Sequence, residues 1–217
     1  MSTTELAIDL DRALDSAVAD VGEALHLRRR AVNEAALRRG LLERLEVPAA
    51  PSELEPFDAA RRATALFILG RDSEVAPYAG RSGNHRVLFL AGQSQLYRDR
   101  PVEAADTLAQ CVATEPRDER ARLECASVQA LLGRPDQARE MLAPLAEQTD
   151  RPQVQYVLGT IAESEGDYSA AREAYESALA QNPEHVDSLF RLAYQLDLSG
   201  DSEVAPYAGR SGNHRVL

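Results

Sequence analysis

The sequence predicts an all-α fold, a solenoid of short antiparallel helix pairs behind an N-terminal helical segment. One helix pair, the spacing of its small residues along the chain, and the composition carry this expectation. Residues 152–185, PQVQYVLGTIAESEGDYSAAREAYESALAQNPEH, read as two amphipathic helices joined at Gly166-Asp167 and stopped at Asn182-Pro183. Small residues sit where the two helices must touch (Gly159 and Ala162, then Ala171, Ala174 and Ala178), and Val157, Leu158, Ile161, Tyr168, Tyr175 and Leu179 fill the space around them. A pair of this kind leaves one flank uncovered and needs neighbours.

Spacing supplies those neighbours. Gly92, Ala126, Gly159 and Ala193 recur at intervals of 34, 33 and 34. Ala104, Ala138, Ala171 and Ala205 repeat the same intervals, and Leu108, Leu142 and Tyr175 follow the first three of them by four positions, one turn along the same face. Pro116 and Pro183 each close a second helix. Composition agrees: 44% of the 217 residues are hydrophobic, only 5% are aromatic, and tryptophan is absent, which suits an alanine- and leucine-packed helical protein better than a β-sandwich.

A period of 34 with this Gly/Ala, Ala, large-apolar, Pro order resembles the tetratricopeptide repeat. The resemblance covers 85–118, 119–151 and 152–185, with the start of a further unit at Val186. It departs from the family pattern in lacking tryptophan, and the unit 119–151 is one residue short and has no terminal proline. What the resemblance implies is a right-handed α-solenoid in which the first helix of each pair lines a concave face.

From the start of the chain, residues 1–46 have helical periodicity. Leu6, Leu10, Leu14, Ala17, Val21, Ala24 and Leu25 form one apolar stripe, and Val32, Ala35, Ala36, Leu42 and Leu45 form another. Gly22 and Gly40 weaken the helix, so two helices broken near Gly22, or one bent helix, are expected. The segment reads as a hairpin capping the solenoid, with a coiled-coil dimerisation element as the other option. Arg28, Arg29 and Arg30 fan around the helix and read as a solvated face. Residues 47–56, VPAAPSELEP, form a proline-rich linker, and 57–84 a degenerate leading repeat whose first helix runs from Phe57 to Gly70.

Residues 72–88 and 201–217 are identical, DSEVAPYAGRSGNHRVL. The true repeat units share only a few structural positions, so ordinary divergence of repeats cannot leave 17 identical residues. A recent duplication, a recombination event or an assembly artefact each fits. Gly80 and Gly83 punctuate what would be a second helix, and His85 falls in an expected loop. The second copy ends an incomplete last repeat, 186–217, expected to fray. It could also take, in a second molecule, the place that 72–88 fills.

No catalytic set emerges. His26, His85, His185 and His214 do not stand in metal-binding spacings, and GRSGN has neither the lysine nor the preceding strand of a phosphate loop. Cys111 and Cys125 fall at inward positions, as small hydrophobes. No cofactor or metal is expected, and the chain reads as non-enzymatic. The net charge of −11 argues against a nucleic-acid surface. The acidic start, MSTTELAIDLD, is no secretion signal, and no stretch approaches the roughly 20 apolar residues of a membrane span, so a cytoplasmic location is expected.

The resemblance places Phe89, Gln93 and Tyr97 in the concave groove, followed by Leu123, Ser127 and Ala130, then Tyr156, Thr160 and Glu163, and finally Phe190, Tyr194 and Asp197. Aromatic groups with polar neighbours one turn on suit a peptide or helix, whereas inter-repeat core is the other reading of Phe89, Tyr156 and Phe190. With no lysine in the sequence, a carboxylate clamp is not expected. Residues 152–200 hold eight acids against Arg172 and Arg191, which favours a basic or helical partner. The expected function is a scaffold or adaptor binding another protein. The alternative is a regulatory or substrate-presenting subunit of an enzyme complex, and homo-oligomers through the N-terminal helices or the duplicated segment are open.

Overall fold

The computed structural model describes residues 3–199, with side chains from Leu10 to Gln195. Those residues form twelve α-helices and no strand, the all-α architecture expected of stacked helix pairs. The chain divides into two compact units, 1–121 and 122–217.

The first unit holds α1 (Thr3–Ala19), α2 (Val21–Asn33), α3 (Ala35–Leu45), α4 (Pro56–Ile68), α5 (Val75–Ser82), α6 (His85–Tyr97) and α7 (Pro101–Thr114). Helices α4 and α5 pack as one pair, α6 and α7 as the next. The next helix, α8 (Glu119–Leu131), contains the boundary between units; the second unit continues with α9 (Pro135–Leu142), α10 (Pro152–Ser164), α11 (Tyr168–Gln181) and α12 (Val186–Ser199).

One turn recurs between the helices of each pair. Gly70, Asp99, Gly133 and Gly166 adopt the left-handed region, with φ of 73°, 56°, 69° and 81°. After each, a backbone N–H reaches back to close the preceding helix: Arg71 to Leu66, Arg100 to Gln95, Arg134 to Gln129 and Asp167 to Ala162. These are Schellman closures, which satisfy carbonyls that a helix end otherwise leaves orphaned. Pro101 and Pro135 then open the second helix, where the missing N–H costs nothing.

The small-against-large registry is physical contact. A Cβ on Gly92 would lie 2.8 Å from Leu108 Cγ, and one on Gly159 only 2.5 Å from Tyr175 Cε1. Leu108, Tyr175, Ala104, Ala138 and Ala171 have no exposed surface. In the second unit Ala126, Ala130, Ala138, Leu142, Val154 and Ile161 share one core cluster.

The N-terminal segment differs from expectation. It is three helices: the break at Asp20 falls near Gly22 as expected, and a second break at Glu34 adds a third helix. Asp20 is the cause of the first break: in extended backbone, its carboxylate accepts from Gly22 N at 2.6 Å and caps α2. The break at Glu34 shifts the helical phase, so Val32, Ala35, Ala36 and Leu42 are exposed while Ala31, Leu41 and Leu45 are buried.

Arg28 is not part of a solvated face. Its Nη1 and Nη2 donate to the Asp72 carboxylate at 2.7 and 2.8 Å, and Nη1 also donates to the Phe67 carbonyl at 2.6 Å. The guanidinium lies 4.6 Å from the ring centres of both Phe67 and Tyr97. Through this clasp α2 is fastened to α4 and α6, while Arg61 of α4 and Arg44 of α3 both hold Asp11 of α1. Arg62 donates to the Leu45 and Val47 carbonyls, which fixes the start of the proline-rich stretch.

The first copy of the duplicated segment makes a regular eight-residue helix, α5, in spite of its glycines. Gly83 terminates it at φ 60°, and Asn84 caps α6 by accepting from Arg86 N at 2.9 Å. His85 is therefore the first residue of α6 and not a loop residue. The second copy, and the fraying expected of it, lie outside the described residues.

Candidate functional site

In the first unit α1 and α2 pack on α4 and α6, the helices expected to line an open face. This cover explains why the expectation for Phe89 fails: the residue is 3% exposed and belongs to the core. Gln93 is half-buried. Tyr97 remains 56% exposed, but one ring face carries the Arg28 guanidinium. These three do not make a groove.

In the second unit the expected residues meet at α10, α11 and α12 in a different way. Thr160 is buried, and its hydroxyl donates to the Tyr156 carbonyl of its own helix at 2.9 Å. Glu163 is committed: one carboxylate oxygen accepts from the Tyr175 hydroxyl at 2.6 Å and the other faces Arg191 Nη1 at 3.5 Å. Tyr156 is half-buried between Tyr175 and His185, with ring centres 5.9 and 5.5 Å away. Ser127 and Ala130 are buried and Leu123 is half-buried.

The electrostatics follow from this packing. Burial pushes the Tyr156 hydroxyl above its ordinary range, against an opposing pull from Arg191 and Ser127. Burial and the hydrogen bond to Glu163 push the Tyr175 hydroxyl up further. Burial holds His185 below the ordinary imidazole value, so at neutral pH it is uncharged; its Nδ1 lies 2.9 Å from Ser188 Oγ. The cluster has neither a charged histidine nor an activated nucleophile. It is a polar lock between helices, beneath a surface.

Above it lies the accessible part. Phe190 and Tyr194, one turn apart on α12, stack with centroids 6.5 Å apart and planes inclined by 17°. Tyr194 is 43% exposed and Phe190 half-buried. Asp187, a turn before Phe190, is exposed, while the Asp197 side chain lies outside the described residues. Arg191 and His185 were not anticipated as members of the site. Being one of only two arginines in a stretch of net charge −6 was the available signal for Arg191; nothing local marks His185.

Among the described residues no group of histidines, cysteines and carboxylates is arranged to hold a metal, and no helix is long and apolar enough to cross a membrane. Cys111 and Cys125 are buried; burial pushes the Cys125 thiol up to about 11, which suits a packing residue and not a nucleophile.

The fold defines a helical-repeat protein, and among the described residues α12 carries the stacked pair Phe190 and Tyr194. Tetratricopeptide repeat models match residues 95–161 and 152–194. Residues 95–194 are thus tetratricopeptide repeats. Solved structures share its fold: MamA (residues 41 to the end) from Desulfovibrio magneticus RS-1 matches with a TM-score of 0.55 at 14% identity, over 72% of this chain and 90% of that one. YrrB, described as a TPR protein with an unusual peptide-binding site, matches with a TM-score of 0.52 at 14% identity, over 74% of this chain and 89% of that one. No curated protein matches the sequence.

Proposed function

We propose that the chain is a non-enzymatic interaction scaffold that binds a peptide or helix of a partner protein on the surface formed by α10 and α12. The observation that carries this reading is the Phe190–Tyr194 stack. Two stacked aromatic rings, Tyr194 exposed and Phe190 half-buried, lie on a helix whose Leu189, Leu192 and Ala193 are buried. Aromatic rings supply contact area at little entropic cost, which is why they dominate the centres of protein interfaces. The cluster below, from Glu163 through Tyr175 and Arg191 to Tyr156, holds α12 in place and so presents the rings on a rigid support. The tetratricopeptide family and the likeness to YrrB, itself a peptide-binding protein by description, support the same reading.

The acidic surroundings favour a basic partner, whose binding weakens as salt rises. The test compares wild type with Tyr194→Ala in affinity capture from the native extract, after circular dichroism shows the same helicity for both. A partner held by wild type and lost by the variant supports the site. Equal recovery by both overturns it.

A further inference from the structure

We infer that the Phe190–Tyr194 pair is an arginine-accepting site, and that the partner segment is an amphipathic helix carrying an arginine. The inference rests on the reading above, that the α12 surface receives a partner, and adds the chemistry of the anchoring residue. The first unit shows how this protein holds an arginine between helices. There the rings of Phe67 and Tyr97 stand 6.5 Å apart, the Arg28 guanidinium lies 4.6 Å from both ring centres, and the Asp72 carboxylate receives its two terminal nitrogens.

The second unit has a comparable ring pair, here on one helix, and no guanidinium of the described residues lies over it. Phe190 and Tyr194 have the same 6.5 Å separation, their planes are closer to parallel, and Tyr194 is open to solvent. Asp187, exposed and a turn before Phe190, puts a carboxylate on the same side of α12 as the rings. The residues from 152 to 200 sum to −6, so a cation is attracted before contact. A flat guanidinium can stack on a ring and bond a carboxylate in its own plane at once; the compact ammonium of lysine cannot do both. The ligand in the first unit is a helix, α2, which is why the occupant is assigned as a helix and not an extended strand.

The chain provides its own probe. A fluorescent peptide of residues 20–34, DVGEALHLRRRAVNE, carries Arg28 in its native helix context. It is titrated by anisotropy into the full chain at low salt, beside the same peptide with all three arginines replaced by lysine. The expected result is saturable binding of the arginine peptide, weakened about tenfold by Tyr194→Ala, nearly restored by Tyr194→Phe, and weakened at least severalfold by the change to lysine. Absence of saturable binding, or an affinity unchanged by Tyr194→Ala, overturns the inference. Equal affinity of the arginine and lysine peptides overturns it as well. In that last case, a native partner still lost with Tyr194→Ala would leave the proposed interaction surface standing.

Discussion

Replacing glycine by alanine at two helical positions should move stability in opposite directions. At Gly159 the new methyl carbon would stand 2.5, 2.7 and 3.0 Å from Tyr175 Cε1, Cδ1 and Cζ. That ring cannot retreat, because Tyr175 has no exposed surface and its hydroxyl is tied to Glu163 at 2.6 Å. Overpacking of a tight core costs about 1–3 kcal/mol, and the gain in helix propensity returns about 0.5–1 kcal/mol. The net expectation for Gly159→Ala is a loss of about 1–2 kcal/mol. At Gly80, also helical, a Cβ meets nothing within 4 Å, so only the propensity gain of about 0.5–1 kcal/mol remains. Urea titration followed by circular dichroism measures both. A second variant tests the mechanism: Gly159→Ala/Tyr175→Leu reproduces the Ala126–Leu142 pairing of the neighbouring repeat, and should cost less than the two single changes summed. A Gly159→Ala protein as stable as wild type would refute the argument, since it would show that α10 and α11 can separate freely.

Breaking the α2 clasp with Arg28→Ala should destabilise the first unit by about 2–3 kcal/mol, since Asp72 would be left largely buried without its cation; hydrogen exchange should show α2 losing protection first. Tyr175→Phe should cost about 1–2 kcal/mol in thermal unfolding by leaving a Glu163 oxygen without its donor. The hydrogen bond from Arg44, with help from Arg61, holds Asp11 below its ordinary value, and Arg139 does the same for Glu165. A carboxylate depressed in the folded state contributes stability above its unfolded value, near pH 4, and loses it as pH falls through the folded one. The urea midpoint should therefore fall on acidification from about pH 5 to pH 3, less steeply in Asp11→Asn. At pH 8 a colour-forming disulfide reagent should leave Cys125 unmodified until denaturant is added, because the buried thiol titrates only near 11.

What the sequence disclosed was whatever repeats. The registry of Gly92 with Leu108 and of Gly159 with Tyr175 was readable because each pair recurs at a fixed offset and any departure would leave a void or a clash. The turn at Gly166 was readable for the same reason, but its equivalent at Asp99 was not, since aspartate does not announce a left-handed backbone. Positions fixed by distant partners stayed hidden. Three consecutive arginines look alike in sequence, and only Asp72, 44 residues on, singles out Arg28. Phe89 has the spacing of a surface aromatic, and its burial depends on helices α1 and α2 folding back, which no local pattern records. Glu163 and Thr160 carry polar groups that suit a groove, yet those groups are used within the unit, on Tyr175, Arg191 and the Tyr156 carbonyl.

The Arg28 clasp also orders events in time. Each helix pair closes its core contact over 16 positions, as from Gly92 to Leu108 or from Gly159 to Tyr175, so a pair can form soon after it is made. The N-terminal helices emerge first but cannot be anchored until Asp72 and Tyr97 exist. At about 5–20 residues per second of synthesis, the 69 residues from Arg28 to Tyr97 take roughly 3–14 seconds. For that interval α1 and α2 have their apolar stripe without its seat, open to whatever meets nascent proteins.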